Sequence, residues 1–156
     1  MMDDLDRIML VMEAAFDPAW NEAWSRRQVS DSLMFAHTHY RLLGRAEAGL
    51  PENLPNSADE PAGFTLVRAA PGEEELLLIA VIPALRGKGL GRRLLHAVLE
   101  DARSRGASQM FLEMRDNNPA EGLYRSVGFE PIGRRKDYYR LPNGNAIDAI
   151  TFARKL

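Results

Sequence analysis

Apolar residues along this 156-residue chain change their period several times, and each change marks an element. Leu5, Ile8, Met9, Met12, Ala15 and Phe16 recur at helical spacing, so the chain opens with an amphipathic helix that Asp17-Pro18 ends. Ser25-Arg26-Arg27-Gln28 reads as a capping box for a second helix carrying Val29 and Leu33. His37 to Gly44 and Gly63 to Ala69 read as strands. Between them, Ala46 to Pro61 contains Gly49, Pro51, Pro55 and Pro61 among Asn and Ser, which predicts a loop and the least ordered part of the chain.

The second half is patterned more sharply. Leu76 to Ile82 is a continuous apolar run, the signature of a buried strand. Leu90, Leu94, Leu95, Val98, Leu99 and Ala102 then form one helical stripe. Phe111 to Met114 is a short apolar strand. Asn118-Pro119-Ala120-Glu121 starts a helix, with Asn as cap, Pro at the first helical position and Glu three residues after the cap. Gly128 stops it. Phe129 to Tyr139 and Ala146 to Phe152 are strands joined by the turn Leu141-Pro142-Asn143-Gly144. The order of elements predicts an α/β fold, a mixed sheet with helices on its faces.

Where the apolar strand meets the long helix stands Arg86-Gly87-Lys88-Gly89-Leu90-Gly91. Three glycines on alternate positions leave the backbone uncovered, and the unpaired amides of a helix N-terminus then form an anion site suited to a diphosphate. A P-loop is excluded because Lys88 is followed by Gly89, and the dinucleotide fingerprint fails at Arg92.

Composition narrows the picture further. The length suits a single domain over residues 1–156 that buries its own core. There is no cysteine, which removes thiolate chemistry and suits a reducing, cytoplasmic setting. No segment has the apolar length of a membrane span, and Asp3, Asp4 and Asp6 stand where a signal peptide would be basic. A net charge of −2 argues against nucleic-acid binding. His37 and His39 share one strand face without a third ligand, so no metal site is expected.

R-x-x-G-x-G at Arg86 to Gly91 resembles the acyl-CoA loop of the GNAT N-acetyltransferases. Downstream, Phe111-Leu112-Glu113-Met114-Arg115, then Asn117, Ala120, Leu123-Tyr124 and Gly128-Phe129, resemble that family's strand and N-x-x-A-x-x-L-Y pattern. The resemblance covers about residues 61 to 156. It implies the GNAT fold, a mixed and mostly antiparallel central sheet flanked by helices. It also implies acetyl-CoA as co-substrate. The family usually begins with a strand before its first helix; here there is hardly room, so that strand is expected to be missing.

The same resemblance distributes roles. Arg86, Gly87, Lys88, Gly89, Leu90, Gly91 and Arg92 would hold the phosphates. Backbone groups of Ile79, Ala80 and Val81 would pair with the pantetheine arm, and Asn117 would contact it from the helix side. Glu113 is the candidate general base, with burial expected to raise its pKa, and Tyr124 the candidate general acid. Glu113 to Asn117 is one residue shorter than the family's E-x-R-x-x-N. Either the loop is tighter or Asn118 takes over part of the asparagine's role: counting back from Tyr124 favours Asn117 for the cofactor contact, capping logic favours Asn118 as the helix cap, and both can hold.

The acceptor is read from two further segments. Arg134-Arg135-Lys136-Asp137-Tyr138-Tyr139 with Asp148-Ala149 resembles the R-R-x-Y-Y and D-A signature of the RimI-like branch, which acetylates the N-terminal alanine of a ribosomal protein. That branch's P-W-S appears as Ala23-Trp24-Ser25. Trp24, Arg135, Tyr138 and Tyr139 would then wall a peptide groove. Chemistry agrees: an α-amine of pKa ~8 is ~10% deprotonated at neutral pH, against ~0.04% for a lysine. A small-molecule or lysine acetyltransferase, or a non-catalytic acyl-CoA-binding domain, are the alternatives on the same scaffold.

Overall fold

The computed structural model describes residues 2–46, 48–49 and 60–156. Most of the loop expected from Ala46 to Pro61 lies outside the described residues, and Pro61 itself already belongs to a strand. The chain enters helix α1 (Asp4–Ala15) with no strand before it among the described residues. Asp3 caps α1, its carboxylate accepting from the Asp6 amide at 2.8 Å while Asp6 accepts from Asp3 at 3.2 Å. Helix α2 (Arg26–Leu33) starts with the expected box, Ser25 and Gln28 each accepting the other's amide.

Six strands follow: β1 (Thr38–Gly44), β2 (Pro61–Ala70), β3 (Glu73–Val81), β4 (Gln109–Arg115), β5 (Glu130–Arg140) and β6 (Ala146–Lys155). Helix α3 (Leu90–Ser104) connects β3 to β4, and α4 (Glu121–Ser126) connects β4 to β5. The sheet order is β1-β2-β3-β4-β6-β5. Every neighbouring pair is antiparallel except β3 and β4, whose parallel pairing needs the α3 crossover.

Two layers of helices cover the sheet. Ile8, Met9, Val11 and Met12 of α1 and Val29 of α2 pack with Phe64, Leu66, Leu78 and Ala80. Leu95, Val98, Leu99 and Ala102 of α3 pack instead with Val67, Leu76, Met110, Leu112, Met114 and Phe152. All six residues of the stripe read on α3 are buried. At roughly 25 cal/mol per Å² of apolar area removed from water, such faces carry the cohesion of the fold.

Several strand ends lie one to three residues from the sequence reading, and two of the shifted starts have a clear physical cause. Strand β3 begins at Glu73, three residues before the apolar run, because the charges are accommodated: Glu74 is only 2% exposed and receives Arg105 through Nε at 2.9 Å and Nη2 at 2.6 Å. Helix α4 begins at Glu121. Asn118 does act as a local cap, accepting the Ala120 amide at 2.9 Å, but it closes a turn that precedes the helix.

Candidate active site

The site begins where a pairing ends. Strands β3 and β4 are hydrogen-bonded only from Glu73–Gln109 to Leu76–Leu112. From Leu77 and Glu113 onward they diverge, while β3 keeps its other neighbour through Ile79–Thr65, Ala80–Phe64 and Val81–Gly63. The edges of Leu77 to Val81 and Glu113 to Arg115 that face each other therefore carry no ladder. A cleft of about 1140 Å³ fills the gap, lined from one side of the sheet by Phe16, Trp20 and Trp24 and from the other by Gly89, Gly91 and Tyr124. Typical small-molecule pockets are ~300–1,000 Å³, so this one has room for a cofactor arm and part of an acceptor.

The glycine segment closes one end. A single 3-10 turn, Pro83–Leu85, leads from β3 into it. Gly87 and Gly89 have φ of 78° and 80°, which glycine adopts without steric cost. A Cβ at either would meet no atom within 4 Å, so the space over the loop is open. Gly89 is the N-cap of α3 and offers no side chain, leaving the first amides of that helix without an internal partner. These features fit a diphosphate. Gly91 serves packing instead: a Cβ there would stand 3.0 Å from the Leu123 Cδ2, so α3 and α4 approach closely. Arg86 Nη2 donates to the Ala15 carbonyl at 3.0 Å, and Arg92 Nη2 to the Ser126 hydroxyl at 2.9 Å.

Placement of the sequence-predicted cofactor residues is nearly complete. Ile79, Ala80, Val81, Arg86, Gly87, Gly89, Leu90, Gly91 and Arg92 all line the cleft. Lys88 and Asn117 are not among its lining residues, whereas Asn118 is. The reason lies in the turn after β4. Asn117 takes a left-handed conformation, φ 67°, and its carbonyl accepts Arg115 Nη1 at 2.9 Å, which turns Asn118 to the cleft.

Glu113 and Tyr124 both line the cleft. Glu113 does not sit in the apolar burial expected of it. Its side chain is 22% exposed, Arg135 Nε stands 3.4 Å from Oε2, and the Thr151 hydroxyl donates to the same oxygen at 3.3 Å. Thr151 is brought there by register, since it pairs with Glu113 across β4 and β6. Tyr124 is buried, edge-on to Phe129 at 6.2 Å. Burial first, and the nearby Glu22 carboxylate second, push its phenol up to about 12. Its hydroxyl makes no hydrogen bond to the chain among the described residues.

The opposite end is shaped by a bulge. Arg135 pairs with Ala149 and Tyr139 with Ile147, so Lys136, Asp137 and Tyr138 oppose Asp148 alone. Asp148 holds this irregularity: its Oδ1 accepts the Asp137 amide at 2.8 Å and its Oδ2 accepts Arg134 Nη1 at 2.7 Å. Both contacts hold the Asp148 carboxyl below the usual carboxylate range. Asp137 occupies φ 53°. Tyr139 consequently lines the cleft with Trp24, while Tyr138 and Arg135 are not among its lining residues, the guanidinium standing 5.0 Å from the Tyr138 ring. Burial, then the carboxylates of Glu113 and Glu22, push the Tyr139 phenol up to about 12 as well.

Sequence reasoning passed over Glu22 and Arg115. Both line the cleft, and Arg115 Nε donates to Glu22 Oε1 at 3.0 Å. Arg115 carried a signal, its place in E-x-R; Glu22 carried none. Among the described residues, no three His, Asp or Glu side chains cluster as a metal site, and no helix is long and apolar enough to cross a membrane.

Comparison with known proteins agrees with this geometry. The acetyltransferase (GNAT) family model matches residues 6–129. The N-alpha-acetyltransferase RimI of Mycobacterium tuberculosis is 37% identical over 128 residues, 81% of this chain and 73% of that one. A [ribosomal protein bS18]-alanine N-acetyltransferase of Haemophilus influenzae is 33% identical over 91 residues, 58% of this chain and 62% of its own length. The crystal structure of the ribosomal-protein-S18-alanine N-acetyltransferase from Escherichia coli superposes with a TM-score of 0.79 at 26% identity, covering 99% of this chain and 89% of that one. A splayed parallel strand pair, an uncapped glycine-led helix and the match over most of the chain converge: this protein belongs to the GNAT acetyltransferase family.

Proposed function

We propose that the protein transfers the acetyl group of acetyl-CoA directly to the N-terminal amine of a protein, an N-terminal alanine of a ribosomal protein in the first instance. The observation that carries this reading is the acceptor end of the cleft. There the Asp148-held bulge brings Tyr139 to the same space as Trp24, Glu113 and Tyr124. An open-ended groove walled by aromatics admits the end of a chain. One relative named for N-alpha-acetylation and one named for alanine N-acetylation of ribosomal protein bS18 support the same acceptor.

Acetyl-CoA supplies the activated acyl group as a thioester. Amides over Gly87 to Gly91 and the α3 N-terminus bind its phosphates. The unladdered edge of Leu77 to Val81 takes the peptide-like pantetheine arm as a neighbouring strand would be taken, and Asn118 meets it from the α4 side. Glu113, held by Thr151 and Arg135, receives the proton of the acceptor amine, directly or through a water. Tyr124 gives a proton to the departing sulfur. With its phenol pushed up to about 12 it remains protonated throughout the working range. Holding both partners in one cleft supplies the proximity that a bimolecular reaction in water lacks. A cytoplasmic address follows from this acceptor, because ribosomal proteins and acetyl-CoA meet there.

The test offers the protein acetyl-CoA with three acceptors: an Ala-initiated peptide, its N-terminally blocked twin containing lysine, and a polyamine. Mass spectrometry reads the product. Acetylation confined to the free alanine terminus is expected. Transfer to the lysine or the polyamine alone would keep the fold and co-substrate and overturn the acceptor.

A further inference from the structure

Arg115 is the last residue of β4 and shares a strand face with Glu113. Its side chain is only 8% exposed, yet it makes three separate contacts. Nε donates to Glu22 Oε1 at 3.0 Å, Nη1 donates to the Asn117 carbonyl at 2.9 Å, and the guanidinium plane lies 3.8 Å from the centre of the Trp20 ring. Glu22 and Trp20 belong to the segment between α1 and α2; Asn117 belongs to the turn that leads to Asn118 and Tyr124. One planar cation therefore joins two segments that are 93 residues apart at the ion pair.

Local structure alone does not fix the α1–α2 segment. It contains one 3-10 turn, Pro18–Trp20, capped by Asp17 accepting the Ala19 amide at 2.9 Å, and then Asn21 in a left-handed conformation, φ 51°. Its start is tied to the glycine loop through Arg86 and the Ala15 carbonyl. Its middle depends on Arg115. Without the guanidinium, Glu22 loses its partner, Trp20 loses the surface it stacks on, and the Asn117 carbonyl loses its donor.

We infer that Arg115 is a positioning residue for the acceptor: with Glu22 as counter-charge, it anchors the loop bearing Trp20 and Trp24 to the end of β4. This rests on the reading of that loop as the acceptor wall. Lysine cannot replace it, because an ammonium offers neither the fork that reaches Glu22 and the Asn117 carbonyl together nor a plane to stack on Trp20. The pair acts as a unit: removing Glu22 leaves the buried guanidinium uncompensated, and removing Arg115 leaves a partly buried carboxylate without its partner.

The chain has two tryptophans, Trp20 and Trp24, so tryptophan emission reports on this loop without any acceptor. Three variants test the inference: Arg115→Lys, Glu22→Gln, and Arg115→Gln combined with Glu22→Gln. For each, the KM for the Ala peptide, the KM for acetyl-CoA and quenching of emission by acrylamide are measured, with thermal unfolding as the check on folding. Both single variants are expected to raise the peptide KM about tenfold and to leave the acetyl-CoA KM within about twofold. They should also make the tryptophans more accessible to acrylamide. The double variant should lose no more than the worse single one, as coupled residues do. A parallel rise in the acetyl-CoA KM, independent losses that multiply, or unchanged quenching would overturn the inference. If Arg115→Lys does not fold, Glu22→Gln decides alone, by the same split and the same quenching. Failure of the unmodified protein to acetylate the peptide would count against the acceptor, while quenching would still decide the role of Arg115.

Discussion

On the cofactor side, the wall of the cleft is backbone: the diverging edges of β3 and β4, two glycines with φ near 80°, and a helix start with no side-chain cap. On the acceptor side, the wall is side chains held by other side chains. Arg115 holds Glu22 and Trp20, Arg135 stands on Glu113, and Asp148 pins the bulge that admits Tyr139. The two regions answer different demands. A diphosphate and a peptide-like arm are the same in every turnover, and main-chain amides suit both. An acceptor must be chosen, and side chains can be exchanged without rebuilding the sheet. The difference predicts that the cofactor side fails when something is added to it, and the acceptor side when something is taken away.

The largest effect should come from adding bulk and charge to the glycine loop. Gly89→Glu introduces a side chain at φ 80° into the open phosphate path, together with a like charge. Acetyl-CoA affinity by calorimetry is expected to fall at least about a hundredfold, the loss a phosphate site built of bare amides and a helix dipole would suffer. Near-normal binding would mean that the phosphates lie elsewhere.

Next in size is Tyr124→Phe, which removes the proton and leaves the ring against Phe129. The kcat should drop at least about tenfold with acetyl-CoA affinity unchanged, the pattern of an interaction used in the transition state alone. Unchanged turnover would take Tyr124 out of the chemistry.

Asp148→Ala removes the acceptor of the Asp137 amide and of Arg134. Released from its pin, the bulge should present Tyr139 less well, and the peptide KM should rise about fivefold while that for acetyl-CoA stays put. An equal change in both would merge the two halves and contradict the comparison.

The smallest effect is a pH dependence that should be missing. Tyr124 must be protonated to act as an acid, and its phenol is pushed up to about 12, so the acid form persists well above pH 9. The rate should therefore rise with pH as the acceptor amine, of pKa about 8, loses its proton, and then stay level to about pH 10. A fall between pH 9 and 10 would place the essential acid on another group.

The same contrast explains what could be read in advance. The order of helices and strands, the stripe on α3 and the glycine loop were legible because local pattern determines them. The start of β3 was not: Glu73, Glu74 and Glu75 look like a solvated turn until Arg105, thirty-one residues beyond Glu74, arrives to neutralise the buried carboxylate. At the site, Glu113 and Tyr124 were found by motif, but the surroundings of Glu113 depend on Arg135 and Thr151 from other strands. Glu22 was invisible for the same reason, because its meaning comes entirely from Arg115. Spacing left both Asn117 and Asn118 open, and the choice of Asn118 for the cleft turned on one left-handed residue, which spacing along the chain does not reveal.

The most direct test is a crystal structure with coenzyme A and an Ala-initiated peptide bound together. The diphosphate should lie on the amides of Gly87 to Gly91, with the arm between β3 and β4. The peptide's terminal nitrogen should sit among Glu113, Tyr124 and Tyr139, its chain leaving between Trp24 and the β5 bulge. A peptide bound outside that opening, or coenzyme A that does not enter the gap between the strands, would contradict the account.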